Sequence, residues 1–151
     1  MTIEAAYEFL ASQEVVVIST ASADGLPHAA PSFYALQGRS VVFTTNSSTH
    51  TGRNLAANPR AAIAAGDAPD PGQTWSDARG IQIVGNVVSL SGADADAAAT
   101  ALRSAYPHLG EAVTRSHFYR LEPTTVDYIH HGGDSDDEFE DLGVNWVREH
   151  F

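Results

Sequence analysis

Residues 41–60, VVFTTNSSTHTGRNLAANPR, decide how the chain reads. They open with an apolar, β-branched run, Val41-Val42-Phe43-Thr44-Thr45, which suits a strand. A hydroxyl-rich corner follows, Asn46-Ser47-Ser48-Thr49, and then a short helical pattern that ends at Asn58-Pro59. The first turn of a helix has N–H groups without intrahelical partners and carries partial positive charge. A strand that ends in serines and threonines at a helix start is therefore a place to hold an anion. His50 and Arg53 are three apart and share a helix face, and Arg53 can clamp phosphate in bidentate fashion. The plain alternative is an ordinary capped helix, with Ser48 or Thr49 as N-cap and Arg53 in solvent.

Composition narrows what such a corner can belong to. At 151 residues and 43% apolar, the chain has the size and content of one packed domain, residues 1–151. The net charge is −11, and all eight basic residues are arginine. That balance argues against nucleic-acid binding, and the lack of lysine excludes Schiff-base and P-loop lysine chemistry. No cysteine is present, which excludes disulfides, thiol catalysis and cysteine-ligated metals. No run approaches the ~20 apolar residues of a membrane span. The first residues lack a basic leader, so a soluble cytoplasmic protein is expected. An acidic, lysine-free, alanine-rich chain fits a GC-rich genome or a saline cytoplasm.

Outward from the opening stretch, six strands and two or three short helices are expected. Residues 3–11 read as a helix capped by Thr2. Residues 15–20, VVVIST, read as a buried strand, followed by a hairpin turn at Ala23-Asp24-Gly25. Residues 28–36 return as a second strand, with Pro27 and Pro31 pointing to an edge or a bulge. The Val41 strand then completes a meander. Residues 61–65 form a small-residue strand, and residues 67–73 a loop rich in Asp, Pro and Gly. Residues 80–90 form a long strand with Gly85 at a bend or bulge. A helix over 94–106 places Ala95, Ala98, Leu102 and Tyr106 on one face. The last long strand, 118–129, is broken at Pro123. Residues 132–151 form an acidic C-terminal segment in which Val144-Asn145-Trp146-Val147 is apolar enough to pack back. The pattern is α+β: an antiparallel, six-stranded split β-barrel with short flanking helices.

The order of motifs resembles the flavin-binding split-barrel superfamily, the pyridoxamine-5′-phosphate-oxidase-like proteins. The carrying residues are Gly25-Leu26-Pro27-His28-Ala29-Ala30-Pro31 with Phe33-Tyr34, then Val42-Phe43-Thr44-Thr45. Thr49 to Leu55 with Asn58-Pro59-Arg60, and Gly80-Ile81-Gln82-Ile83-Val84-Gly85, complete the set. The resemblance implies a homodimer with two flavin mononucleotide (FMN) sites at its interface and a small-molecule substrate. Carried over by position, Pro31, Ser32 and Phe33 run along the flavin ring, and Thr45, Thr49, His50 and Thr51 surround the phosphate. Arg53, or Arg79 from a neighbouring strand, is a candidate to add charge there. The chain departs from the oxidase pattern: Ser-Arg-Lys is usual where Thr49-His50-Thr51 stands here, so two cations are missing. Too few cations remain to hold a substrate phosphate as well, so pyridoxamine phosphate oxidase activity is not expected.

Other readings keep the barrel and change the ligand. Relatives use a deazaflavin or bind haem, and His28, His50 or His117 could then be an axial ligand. Residues 130–137, HHGGDSDD, contain ligand types suited to zinc or manganese. Adjacent histidines on a strand face opposite ways, however, and a solvated acidic loop is the simpler reading, so no metal is assigned. A non-catalytic dimeric scaffold is also compatible. Trp75 reads as a core or interface aromatic, and Trp146 as packing near the pocket or interface. No nucleophile–base motif such as G-x-S-x-G occurs, so no catalytic residue is assigned.

Overall fold

The computed structural model describes residues 2–114, 116–131 and 144–151. Of the expected acidic C-terminal segment, residues 132–143 lie outside the described residues, as does most of the 130–137 cluster. The chain runs α1 (Ile3–Ala11), β1 (Val16–Ala21), β2 (Pro27–Ser32), β3 (Tyr34–Gln37), β4 (Ser40–Thr45), α2 (His50–Ala57) and β5 (Arg60–Asp67). It continues through β6 (Arg79–Ser89), α3 (Gly92–Ala105), β7 (His117–His131) and β8 (Val144–His150). A 3₁₀ segment over Pro107–Thr114, interrupted at Gly110, links α3 to β7.

The strands form one antiparallel eight-stranded sheet in the order β2-β1-β5-β6-β7-β4-β3, with β8 pairing on β7. The two ends of this order, β2 and β3, are joined in sequence by the single residue Phe33. A sheet whose opposite edges are one residue apart must roll up, and this one closes into a split barrel.

The expected strand over 28–36 is therefore two strands. Its first half pairs with β1 and its second half with β4, and the handover falls at Phe33. With β8 added, eight strands replace the expected six. Pro123 does not break β7 either. Gly85 pairs with Pro123 and Val84 with Thr125, so Thr124 is an extra residue in a bulge. Pro123 has no N–H to give to the ladder, and the bulge absorbs that loss. Gly85 permits the resulting close approach: a Cβ there would run into the Glu122 carbonyl and come within 2.9 Å of Leu121 Cδ2.

Alternation places Val16, Ile18, Val41, Phe43, Ile63, Ile81, Ile83, Leu121 and Val126 inside the barrel, joined by Phe9 and Leu10 of α1. Thr2 caps α1, accepting from Ala5 N–H. A second core lies outside, where Ala98 and Leu102 of α3 and its C-cap Tyr106 cover Ala35 and Val42. Trp75 is 63% exposed, so it is not a core residue; its ring meets His131 edge-on. Trp146 has its backbone in β8 opposite Ile129, and its side chain lies outside the described residues. Among the described residues no helix is long and apolar enough to cross a membrane.

Candidate functional site

The split in the barrel lies beside the start of α2. Register shows why. β3 pairs with β4 only from Tyr34↔Phe43 to Gln37↔Ser40, so Thr44 and Thr45 extend past its end. β2 is the opposite edge and pairs only with β1. Between these edges is a groove of about 70 Å³, lined by Ala30, Pro31, Ser32, Thr44, Thr45 and Thr51.

Thr49 is the N-cap of α2, and its hydroxyl is fully used. It donates to Asn46 O (2.7 Å), accepts from Gly52 N–H (3.0 Å), and lies 3.0 Å from the Thr45 hydroxyl. Its one proton is committed to Asn46, so Thr45 is the donor between the two threonines. Thr51 differs. It is only 6% exposed, lines the groove, and makes no side-chain hydrogen bond among the described residues. The backbone N–H groups of His50 and Thr51 are also without partners among the described residues, as expected for the first turn of a helix.

Two further features hold this corner. Asn54, buried on the inner face of α2, donates to Thr20 Oγ1 of β1 at 3.1 Å and fixes the helix against the barrel. Gly52 lets the corner pack against the helix: a Cβ there would run into the Asn46 carbonyl and come within 2.7 Å of Ser47 Cα.

The structure brings Pro31, Ser32, Thr45 and Thr51 together, with Thr49 and His50 beside them. Arg53 donates through Nη1 to the Ser48 carbonyl and is exposed. Arg79 is not near this site. Thr45 pairs with His117 at one end of β7, whereas Arg79 pairs with His130 at the other. Arg79 instead binds Asp67 at 2.6 Å and lies over the Phe9 ring. His117 is exposed beside Thr45, and its carbonyl accepts from the Thr44 hydroxyl at 2.9 Å. The ring of His28 meets that of His50 with centroids 4.7 Å apart, a neighbour that no local spacing announces.

Phe33, 43% exposed, faces a different cavity. This larger cleft, about 640 Å³, lies between residues 11–15, β3 and the end of α3, and the Phe33 ring packs on Tyr106. Its two tyrosine hydroxyls serve the fold. The Tyr34 hydroxyl bonds the Leu10 and Gln13 carbonyls, and Tyr106 O–H donates to Glu14 O at 2.9 Å. Burial pushes the Tyr34 pKa up to about 12 and raises that of Tyr106, so both stay neutral and keep the loop before β1 in place. The tyrosine hydroxyls of the larger cleft are committed to the fold; the buried Thr51 hydroxyl of the smaller groove is without a partner among the described residues.

Residues 2–130 match the family profile described as pyridoxamine 5′-phosphate oxidase. Among solved structures, a haem-binding protein from Mycobacterium smegmatis is 24% identical with a TM-score of 0.71, covering 91% of this chain and 54% of that protein. This chain thus spans about half the length of that relative. An FAD-binding protein from Mesorhizobium loti is 15% identical with a TM-score of 0.70, covering 85% of this chain and 92% of its own. A haem storage protein from Vibrio cholerae is 13% identical with a TM-score of 0.64, covering 82% and 91%. At these identities the likeness is one of fold. No curated protein matches the sequence.

Proposed function

Since the chain belongs to the pyridoxamine 5′-phosphate oxidase family, we propose that it is an FMN-binding protein acting as a flavin-dependent oxidoreductase on a small molecule. The observation that carries this is Thr51: a hydroxyl on a nine-tenths buried residue, without a partner among the described residues, beside two free N–H groups at a helix start. These are the donors that a phosphate monoester accepts from. Thr51 and the N–H groups of His50 and Thr51 would hold the phosphate, and Arg53 stands one turn along. Pro31, Ser32 and Thr45 would border the ring, with Phe33 just beyond Ser32. When bound, FMN supplies hydride and electron transfer; the residues here bind and orient it.

A groove of about 70 Å³ accommodates a phosphate but not a tricyclic ring, for which pockets of roughly 300 Å³ or more are usual. The ring therefore needs a second surface, and a homodimer supplies one. An open face of the sheet supports this reading. Val17 and Val84 are about two-fifths exposed there, with Ala29, Pro31 and Ala64 beside them on neighbouring strands.

The test is the absorption spectrum of the purified protein before and after addition of FMN. Flavin bands with quenched fluorescence support the proposal; protein that neither carries nor takes up flavin sinks it. Haem is the second reading, favoured by the His28–His50 pair, whose imidazoles are axial-ligand types. A Soret band on haem titration distinguishes it.

A further inference from the structure

His28, Ala30 and Ser32 alternate along β2 and so face the same side of the sheet. Ala30 and Ser32 line the split groove. His28 is thus the next side chain along that wall, toward the start of α2. There its ring meets that of His50, the first residue of α2, with ring planes 31° apart. Two imidazoles from different elements meet at the first residue of α2, whose N–H, like that of Thr51 next to it, is without a partner among the described residues.

We propose that His28 and His50 form a paired, titratable cationic subsite for the phosphate dianion held at α2, so that binding of the phosphate takes up protons. The inference rests on the FMN reading and deepens it. The charges around the pair are few. α2 itself offers Arg53, whose guanidinium bonds the Ser48 carbonyl. β1, which packs against both α2 and β2, has no ionisable side chain from Val16 to Ala21, and neither do β4 and the 46–49 corner. Arg60 begins β5 opposite Asn86, and His117 pairs with Thr45. Asp24, at the tip of the β1–β2 hairpin, accepts from the Ser22 hydroxyl, which lowers its pKa.

A phosphate dianion beside two imidazoles favours the protonated form of each ring. Imidazoles titrate between about pH 5 and 8, and a phosphate monoester takes its second proton near ~6. Affinity for a phosphate-bearing ligand therefore falls on the alkaline side of neutrality.

Flavin fluorescence gives the Kd of FMN, and of riboflavin, which lacks the phosphate, at about pH 6.5 and about pH 8.5. FMN is expected to bind about tenfold more tightly at the lower pH, one unit of pKa shift being a factor of ten, and riboflavin equally at both. His28→Gln and His50→Gln should each flatten the FMN slope while the melting temperature holds. FMN affinity without a pH slope, or a slope that survives both substitutions, overturns the proposal and leaves the flavin reading standing. If neither flavin binds, the flavin reading falls and inorganic phosphate becomes the probe. The ring C–H resonances of His28 and His50 are then followed by NMR through a pH titration with and without phosphate. Phosphate that raises both midpoints supports the pair; phosphate that moves neither overturns it.

Discussion

The hydroxyls of Thr45 and Thr49 lie 3.0 Å apart, so the last residue of β4 is tied to the cap of α2. The same Thr49 oxygen also bonds Asn46 O and Gly52 N–H. One side chain therefore sets the strand end, the corner and the first turn of the helix. Thr49→Ala should lower stability by about 1–2 kcal/mol, the usual cost of losing such a cap, and weaken FMN more than riboflavin. Thr49→Ser keeps the oxygen and should restore most of both. Equal melting temperatures for wild type and Thr49→Ala would count against this account.

Gly52→Ala separates helix propensity from packing. Alanine is the better helix former by about 1 kcal/mol, so propensity alone predicts a gain. The new Cβ, however, meets the Asn46 carbonyl and Ser47 Cα. Overpacking of this kind costs about 1–3 kcal/mol, so a net loss of stability is expected, with displacement of the corner and weaker FMN binding. A variant more stable than wild type contradicts the packing argument.

The open sheet face predicts an oligomeric state. Val17→Asp places a charge on an exposed position of β1 between Pro31 and Ala64. It should leave the monomer folded and weaken the proposed dimer by about 2 kcal/mol or more, as substitutions at the centre of an interface do. Sedimentation measures this directly. A wild-type monomer at all concentrations contradicts the interface.

Alkaline stability follows from buried phenols. Burial pushes the pKa values of both Tyr7 and Tyr34 up to about 12 from 10.0. A raised folded-state pKa means that the folded form holds the proton more firmly. The contribution is therefore complete below pH 10.0 and is lost as pH rises through about 12. Denaturant midpoints should be flat from neutrality to about 10 and then fall, and Tyr34→Phe should reduce that fall. An unchanged alkaline limb in Tyr34→Phe would contradict the assignment.

Much of this molecule is legible residue by residue, because local chemistry decides it. Thr2 reads as a cap and is one, and of Ser48 and Thr49, which both read as the cap of α2, Thr49 takes the place. Gly85 reads as a bend or bulge and sits at a bulge, and Pro123 across from it supplies the cause. What escapes local reading depends on register. Prolines at 27 and 31 mark a strand with restricted pairing, but the change of partner at Phe33 follows from barrel closure. Arg53 and Arg79 look equally available to the corner until register puts Thr45 at one end of β7 and Arg79 at the other, leaving only Arg53, on α2 itself, nearby. His28 and His50 become neighbours only when α2 folds over β2. Alternation along β2 did carry one usable signal, since it puts His28 on the face of Ala30 and Ser32.

The central claim is that the start of α2 holds a flavin phosphate, and Thr51→Val tests it most directly. Valine keeps the shape of this buried side chain and removes its hydroxyl. The measurement is the FMN and riboflavin affinity of wild type and variant, taken side by side by fluorescence quenching. Loss of one hydrogen bond to a charged group should weaken FMN about tenfold or more, leave riboflavin unchanged and spare the melting temperature. FMN affinity identical in wild type and Thr51→Val, or equal losses for FMN and riboflavin, would contradict the claim.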